Sequence, residues 1–218
     1  MLSWLSKALV SSVGRKAVMG LTGLLLVGFL ANHLVGNVKL YADEDGTSFN
    51  EYVEFLKSFG PLLLVAELGL GLLFAVHLFI ALKLTMENRE ARKSRYQFRN
   101  HRGAQTPGSV SMHVTGVLIL GYLIKHLLDF RFDGDFLDDP AASVKTTLAE
   151  PATAMIYIVA SLLVGLHLSH GIKSAFQSLG VSHPKLEKPL QLLAYALAAL
   201  FALGFASFPV RYMLLGAE

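Results

Sequence analysis

Four long apolar stretches of this chain each hold one histidine well inside them: His33, His77, His126 and His167. The stretch around the last, residues 155–179, adds His170 and then Lys173. A histidine in hydrocarbon is costly and uncommon, so by default it marks a functional site. Imidazole is a metal and haem ligand and a proton carrier. The question is which of these uses needs four histidines on four separate segments.

The elements that must position them are membrane helices. The 218 residues are 53% hydrophobic and 16% charged, with a mean hydropathy of +0.51. Long uncharged apolar runs in such a chain point to the bilayer. The fold class expected is an all-α membrane protein. It has five transmembrane helices, a four-helix haem-binding core and one peripheral helix, in one domain over 1–218. The helices are expected at about 17–38, 61–84, 108–130, 151–173 and 189–210. Pro61, Pro107, Pro151 and Pro189 stand at or just before four of the starts, where proline is favoured. Gly20, Gly23 and Gly28 are small positions on the first helix that permit close approach of another helix or a flat ligand. No internal repeat is strong enough to argue from. The segment MLSWLSKALVSSVGRK lacks a continuous apolar core and a small-residue cleavage site, so it does not read as a cleaved signal. Its Leu2, Trp4, Leu5, Ala8 and Leu9 suit a short interfacial helix. The chain has no cysteine. Disulfides, thiolate-bound clusters and thiolate haem are therefore excluded within it.

The connections alternate in charge. The N-terminal segment, residues 83–102 and residues 173–188 are basic. Residues 41–60 and 131–150 are acidic, and Phe49, Tyr52, Val53, Leu56 and Phe59 in the former suggest a short surface helix. The positive-inside rule puts the basic set in the cytoplasm, the N-terminus inside and the C-terminus outside. A helix rises about 1.5 Å per residue across roughly 30 Å of hydrocarbon. His33 then lies about 25 Å beyond Lys16, near the outer side, and His126 matches it. His77 and His167 lie one to two turns before Lys83 and Lys173, near the inner side. The histidines form an outer pair, His33/His126, and an inner pair, His77/His167, each joining two helices.

Bis-histidine haem needs two imidazoles from separate helices at matching height. Zinc would want three or four ligands in one cluster. A di-iron site would show Glu-x-x-His pairs. A proton relay could use scattered histidines but does not demand matched pairs. His170 lies nearly on the face of His167 and is an alternative inner ligand. His113, His101 and His183 read as solvated or interfacial. Haem propionates would seek cations: Arg15, Lys16, Lys83 and Lys173 on the inner side, Lys125 and Arg131 on the outer. Each of these also serves as an ordinary flanking or snorkelling side chain.

The pattern resembles the membrane cytochrome b subunit of succinate dehydrogenase/fumarate reductase, in its single-chain, five-helix, dihaem form. The resemblance is carried by SSVGRKAVMGLTGLLLVGFLANHLVGN, LLFAVHLFIALKLT, VTGVLILGYLIKHLLDFRF and GLHLSHGIKSAFQSLG, in that order. It implies two haem b groups, an outer one on His33 and His126 and an inner one on His77 and His167. It favours His167 over His170 because the family ligand precedes a glycine by four residues, as His167 precedes Gly171. It implies an FAD-containing flavoprotein subunit and an iron–sulfur subunit on the cytoplasmic face, in a bacterial cytoplasmic membrane. Electrons would pass through the two haems between the iron–sulfur subunit and a quinone, with menaquinone favoured. The chain itself would bind no dicarboxylate and no nucleic acid. Ser11 and Arg15 have the spacing of the ubiquinone site of related monohaem anchors. Glu51, Glu54 and Glu67 are candidates for proton exchange near an outer quinone. Gly165 stands where some dihaem fumarate reductases carry a glutamate.

Two other functions compete. The cytochrome b subunit of a hydrogenase or formate dehydrogenase would share the haems and differ in its soluble partners. A small haem-free transporter would use the histidines as ion or proton sites, and would be expected to show broken helices or repeat symmetry.

Overall fold

The computed structural model describes residues 11–90 and 107–216. The short N-terminal helix expected around Trp4, most of the basic connection after Lys83, and His101 lie outside them. Five helices are long and apolar enough to cross a membrane: α1 (Ser12–Val38), α3 (Pro61–Glu90), α4 (Pro107–His126), α7 (Pro151–Ser178) and α8 (Pro184–Leu215). Shorter helices α2 (Thr47–Lys57), α5 (Asp135–Asp138) and α6 (Pro140–Ala149) fill the two acidic connections, and no strand occurs among the described residues. The chain is a multi-pass, all-α membrane protein.

Helix bounds extend past the hydrocarbon-length expectations because polar caps continue them. The Ser11 hydroxyl accepts from Gly14 N at 3.0 Å and starts α1 five residues before the expected position. The last helix begins at Pro184 rather than Pro189, because the His183 ring caps it and Pro184 occupies its first turn. Pro189 then sits inside the helix near its start. Helix α4 runs into a π-helical segment, Leu127–Arg131. One extra residue in that turn rotates Asp129 and Arg131 relative to a plain α-helix.

Helix α7 is the hub. It packs on α8, α4 and α1, and α3 packs chiefly on α1. Small residues make two of these contacts close. A Cβ on Gly20 would come within 2.9 Å of the Ala175 carbonyl, and one on Gly165 within 2.9 Å of the Ala198 carbonyl. Helix α8 lies outside the four histidine-bearing helices, yet its interface with α7 is the most extensive in the molecule. It buries Ala194, Ala198, Phe201, Phe208 and Tyr212.

Helices α2 and α6 close one end of the bundle. Asn50 joins them, donating to Asp139 Oδ1 at 3.0 Å and accepting from Ala141 N at 2.8 Å. Lys145, buried on α6, donates to the Glu44 carbonyl. Gly46 has φ +85°, the left-handed region that glycine enters without strain. The surface helix expected in the first acidic connection is therefore part of a cap over the bundle. The same cap is tied to α8 by Tyr212 Oη donating to Leu40 O at 3.2 Å and by Tyr41 Oη to Ser207 Oγ at 2.8 Å.

Carboxylates start both α6 and α7 at this end. The backbone N–H groups of Thr153 and Ala152 hold the Glu150 carboxyl below its ordinary value, and Ala142 N–H with Asn50 does so for Asp139. A lowered carboxylate value means the cap contributes at neutral pH and is lost as the pH falls through that lowered value. The protection of the Ala152 and Thr153 amides, measured against their intrinsic exchange rates, should thus fall on acidification. In Glu150→Ala it should be low already at neutral pH, and unchanged protection in that variant would remove the cap from this account.

Candidate functional site

Each of the four histidines sits where its helix periodicity turns it toward another helix. His33 on α1 and His126 on α4 face each other near the capped end, with ring centroids 5.8 Å apart and ring planes at 87°. Their helices share no extensive interface, so the two imidazoles reach across a gap. Aromatic rings surround them. Phe29 stacks on His33 at 5.4 Å and Phe205 lies at 5.7 Å. Phe130 and Tyr157 lie 5.3 and 6.0 Å from His126. His126 Nδ1 is buried with no hydrogen-bond partner among the described residues. A buried, unpartnered ring nitrogen costs free energy unless something binds there.

The second pair lies toward the opposite end. His77 on α3 and His167 on α7 are within electrostatic range of each other, again on helices without an extensive shared interface. Here each ring is held by a neighbour. Thr22 Oγ1 lies 3.0 Å from His77 Nδ1 and Thr115 Oγ1 lies 3.0 Å from His167 Nδ1. His170 has no such bond among the described residues, and its charged neighbour is Lys173. His113 is exposed.

The two threonines were not among the sequence-derived candidates. The signal that finds them is a repeat. Helix α1 carries Met19, Thr22, Gly23, Gly28, Phe29, Leu30 and His33; helix α4 carries Met112, Thr115, Gly116, Gly121, Tyr122, Leu123 and His126 at the same spacings. Likewise Pro61, Leu72, Leu73, His77, Leu78 and Lys83 of α3 match Pro151, Leu162, Leu163, His167, Leu168 and Lys173 of α7. The chain contains two copies of one helix pair, α1–α3 and α4–α7. Each histidine pair joins equivalent positions of the two copies, and each Thr–His bond lies within one copy.

Most of the candidate cations already have carboxylate partners. Arg15 pairs with Glu87 at 2.8 Å, Lys125 with Asp129 at 2.8 Å, Arg131 with Glu67 at 2.9 Å and Lys173 with Glu187 at 3.2 Å. Lys16 is exposed and Lys83 half-buried, and neither has an ion pair among the described residues. Ser11 is a helix cap. Glu51 and Glu54 are exposed on α2, where Glu54 pairs with Lys57 at 2.8 Å. Glu67 is not the isolated buried acid its apolar context suggests: its side chain is 37% exposed and neutralised by Arg131. A polar cluster beside His126 was missed. Tyr157 Oη donates to Asp129 Oδ2 at 2.6 Å, and Lys125 bonds both Asp129 oxygens. A groove of about 500 Å³ between α4 and α7 runs up to Lys125 and Tyr122 over a mostly apolar lining that includes Gly121, Val159 and Ala160.

No family model, no curated protein and no solved structure matches the chain.

Proposed function

We propose that this chain is the membrane anchor and dihaem cytochrome b subunit of a succinate:quinone oxidoreductase. The observation that carries the reading is the arrangement of four histidines as two pairs on helices that otherwise stay apart, with the rings of the outer pair facing each other across 5.8 Å. The donor set fits haem b. Two imidazoles per site come from separate helices, with an aromatic surround at the outer site. His33 and His126 would hold the outer haem, and His77 and His167 the inner one. Bound haem supplies one-electron transfer, with burial and axial ligation setting its potential. The aromatic and aliphatic walls keep water from the outer pair, and Thr22 and Thr115 orient the inner one.

The flavoprotein and iron–sulfur partners would dock at the end opposite the α2/α6 cap, which the charge pattern assigns to the cytoplasm of a bacterial cell. Lys16 and Lys83 are the propionate or docking cations without carboxylate partners among the described residues. A quinone, with menaquinone favoured, would exchange electrons near the outer pair. Its protons need an acceptor there, and Asp129, bonded to Tyr157 and Lys125, joins Glu67 as a candidate. The repeat is of the parallel kind that some transporters also use. What favours the cytochrome reading over transport is that the histidines fall into two pairs and that the rings of the outer pair face each other.

The test is a pyridine haemochrome assay on the purified complex, with a spectrum before and after succinate. Two b haems per chain, at least one of them reduced by succinate, is the expected result. Two haems with a hydrogenase or formate dehydrogenase partner in the purified complex would move the chain to that class. No haem in an intact complex would overturn the reading.

A further inference from the structure

The inner histidines differ from the outer ones in having a fixed hydrogen-bond partner, and that partner recurs in both copies of the repeat. We propose that Thr22 and Thr115 are positioning residues that set the tautomer of His77 and His167, leaving Nε2 of each ring unprotonated and available to a metal. The inference rests on the haem reading above and adds to it two residues that touch the ligands and not the haem.

The hydroxyl proton decides the matter. Thr22 Oγ1 is 2.8 Å from the Val18 carbonyl and 3.1 Å from the Met19 carbonyl, and Thr115 Oγ1 is 3.0 and 3.2 Å from those of Ser111 and Met112. A threonine in a helix commonly donates to the preceding turn in this way. A hydroxyl has one proton and two lone pairs. With its proton directed to its own helix, each threonine can only accept from the imidazole. Nδ1 is then the N–H, and Nε2 carries the lone pair. A ligating histidine usually donates its other ring N–H to just such an acceptor, which also raises its basicity.

The residue after each threonine completes the seat. A Cβ on Gly23 would lie 3.3 Å from His77 Cε1, and one on Gly116 would lie 3.8 Å from His167 Cε1. The ring therefore lies against bare backbone beside the hydroxyl, with little freedom to turn. Ordinary helix packing would account for one such threonine. It does not account for the Thr-Gly pair at equivalent positions of both copies, each meeting the equivalent histidine at the same distance.

Valine matches threonine in shape and lacks the hydroxyl, whereas serine keeps it. The test uses the full-length chain labelled with ¹⁵N-histidine, and NMR reads which ring nitrogen carries the proton before haem is added. His77 and His167 should be protonated on Nδ1 in the wild type and in Thr22→Ser and Thr115→Ser. In Thr22→Val the His77 proton should move to Nε2, and in Thr115→Val the His167 proton should do so. Titration with haem should show the inner site weakened about 10-fold in either valine variant, restored by serine, with the outer site unchanged. Protonation on Nε2 in the wild type would overturn the proposal. So would valine variants with unaltered tautomers and unaltered inner affinity. A wild-type chain that takes up no haem would sink the cytochrome reading, while the tautomer measurement would still decide the role of the threonines.

Discussion

His167→Ala should abolish one of two b-haem spectral components and leave the other intact, and His77→Ala should abolish the same one. The two residues belong to different helices, and nothing but a shared ligand makes them equivalent. In the proposed dihaem arrangement, removing one imidazole would deprive the iron of one axial ligand. His170, three residues on, lacks the threonine contact that seats His167. His170→Ala should therefore leave both components in place. His33→Ala and His126→Ala should each remove the second component. The expected loss is close to complete for the affected haem, far beyond the effect of any substitution in the surround. A spectrum in which His77→Ala and His167→Ala lose different components would break the pairing. One in which His170→Ala loses the inner haem would exchange the ligand.

Gly165→Val should destabilise the bundle far more than Gly171→Val on the same helix, where an added Cβ meets only Met112 Cε at 4.0 Å. At Gly165 the added Cβ alone would stand 2.6 Å from Ala202 Cβ and 2.9 Å from the Ala198 carbonyl oxygen. A side-chain tip could yield, but backbone oxygen cannot without moving α8. Overpacking of this kind costs about 1–3 kcal/mol, and valine adds two further methyls. Small residues let membrane helices approach closely, where van der Waals packing supplies much of their association. Moving α7 off α8 also shifts His167, two residues further on, so inner-haem content should fall with thermal stability in detergent. Gly69→Ala is the control. A Cβ there meets nothing within 4 Å, and alanine is the better helix former, so its unfolding temperature should hold or rise. Equal behaviour of the two variants would show that the α7–α8 contact is not what holds the bundle.

Much of this was legible from residue type and spacing. Apolar runs, proline starts and alternating loop charge define five spans; the distances of His33, His77 and His167 from a flanking lysine, with His126 near the outward end of its helix, sort four rings into two layers. Helix rotation was not legible, and it decides which polar groups meet. Arg131 and Lys125 read as free cations, but the π-helical turn after His126 and the facing helices give them Glu67 and Asp129. Glu67 read as a buried acid because its neighbours in sequence are apolar, yet its side chain is partly exposed and paired with Arg131. Nothing in the sequence singled out Thr22 and Thr115. Their role needed the facing helix in place, since an intrahelical Thr–carbonyl bond and a Thr–His bond look alike in sequence. The repeat was overlooked because apolar helices share composition. Only the matched Thr–His contacts separate the meaningful identities from the background of leucine and valine.

The duplicated helix pair also constrains how the protein is made. The first copy, complete once α3 has emerged, contains His33 and His77, and the second contains His126 and His167. Neither copy alone holds both members of either pair. A nascent chain inserted as one hairpin therefore offers half of two sites and the whole of none, however well that hairpin folds. The second hairpin has to dock through the α1–α7 seam, where Gly20 meets Ala175, before any planar cofactor can be gripped from both sides. Capture of the proposed cofactors would thus be a late event in biogenesis, and a filled site would certify that all four helices have come together in register.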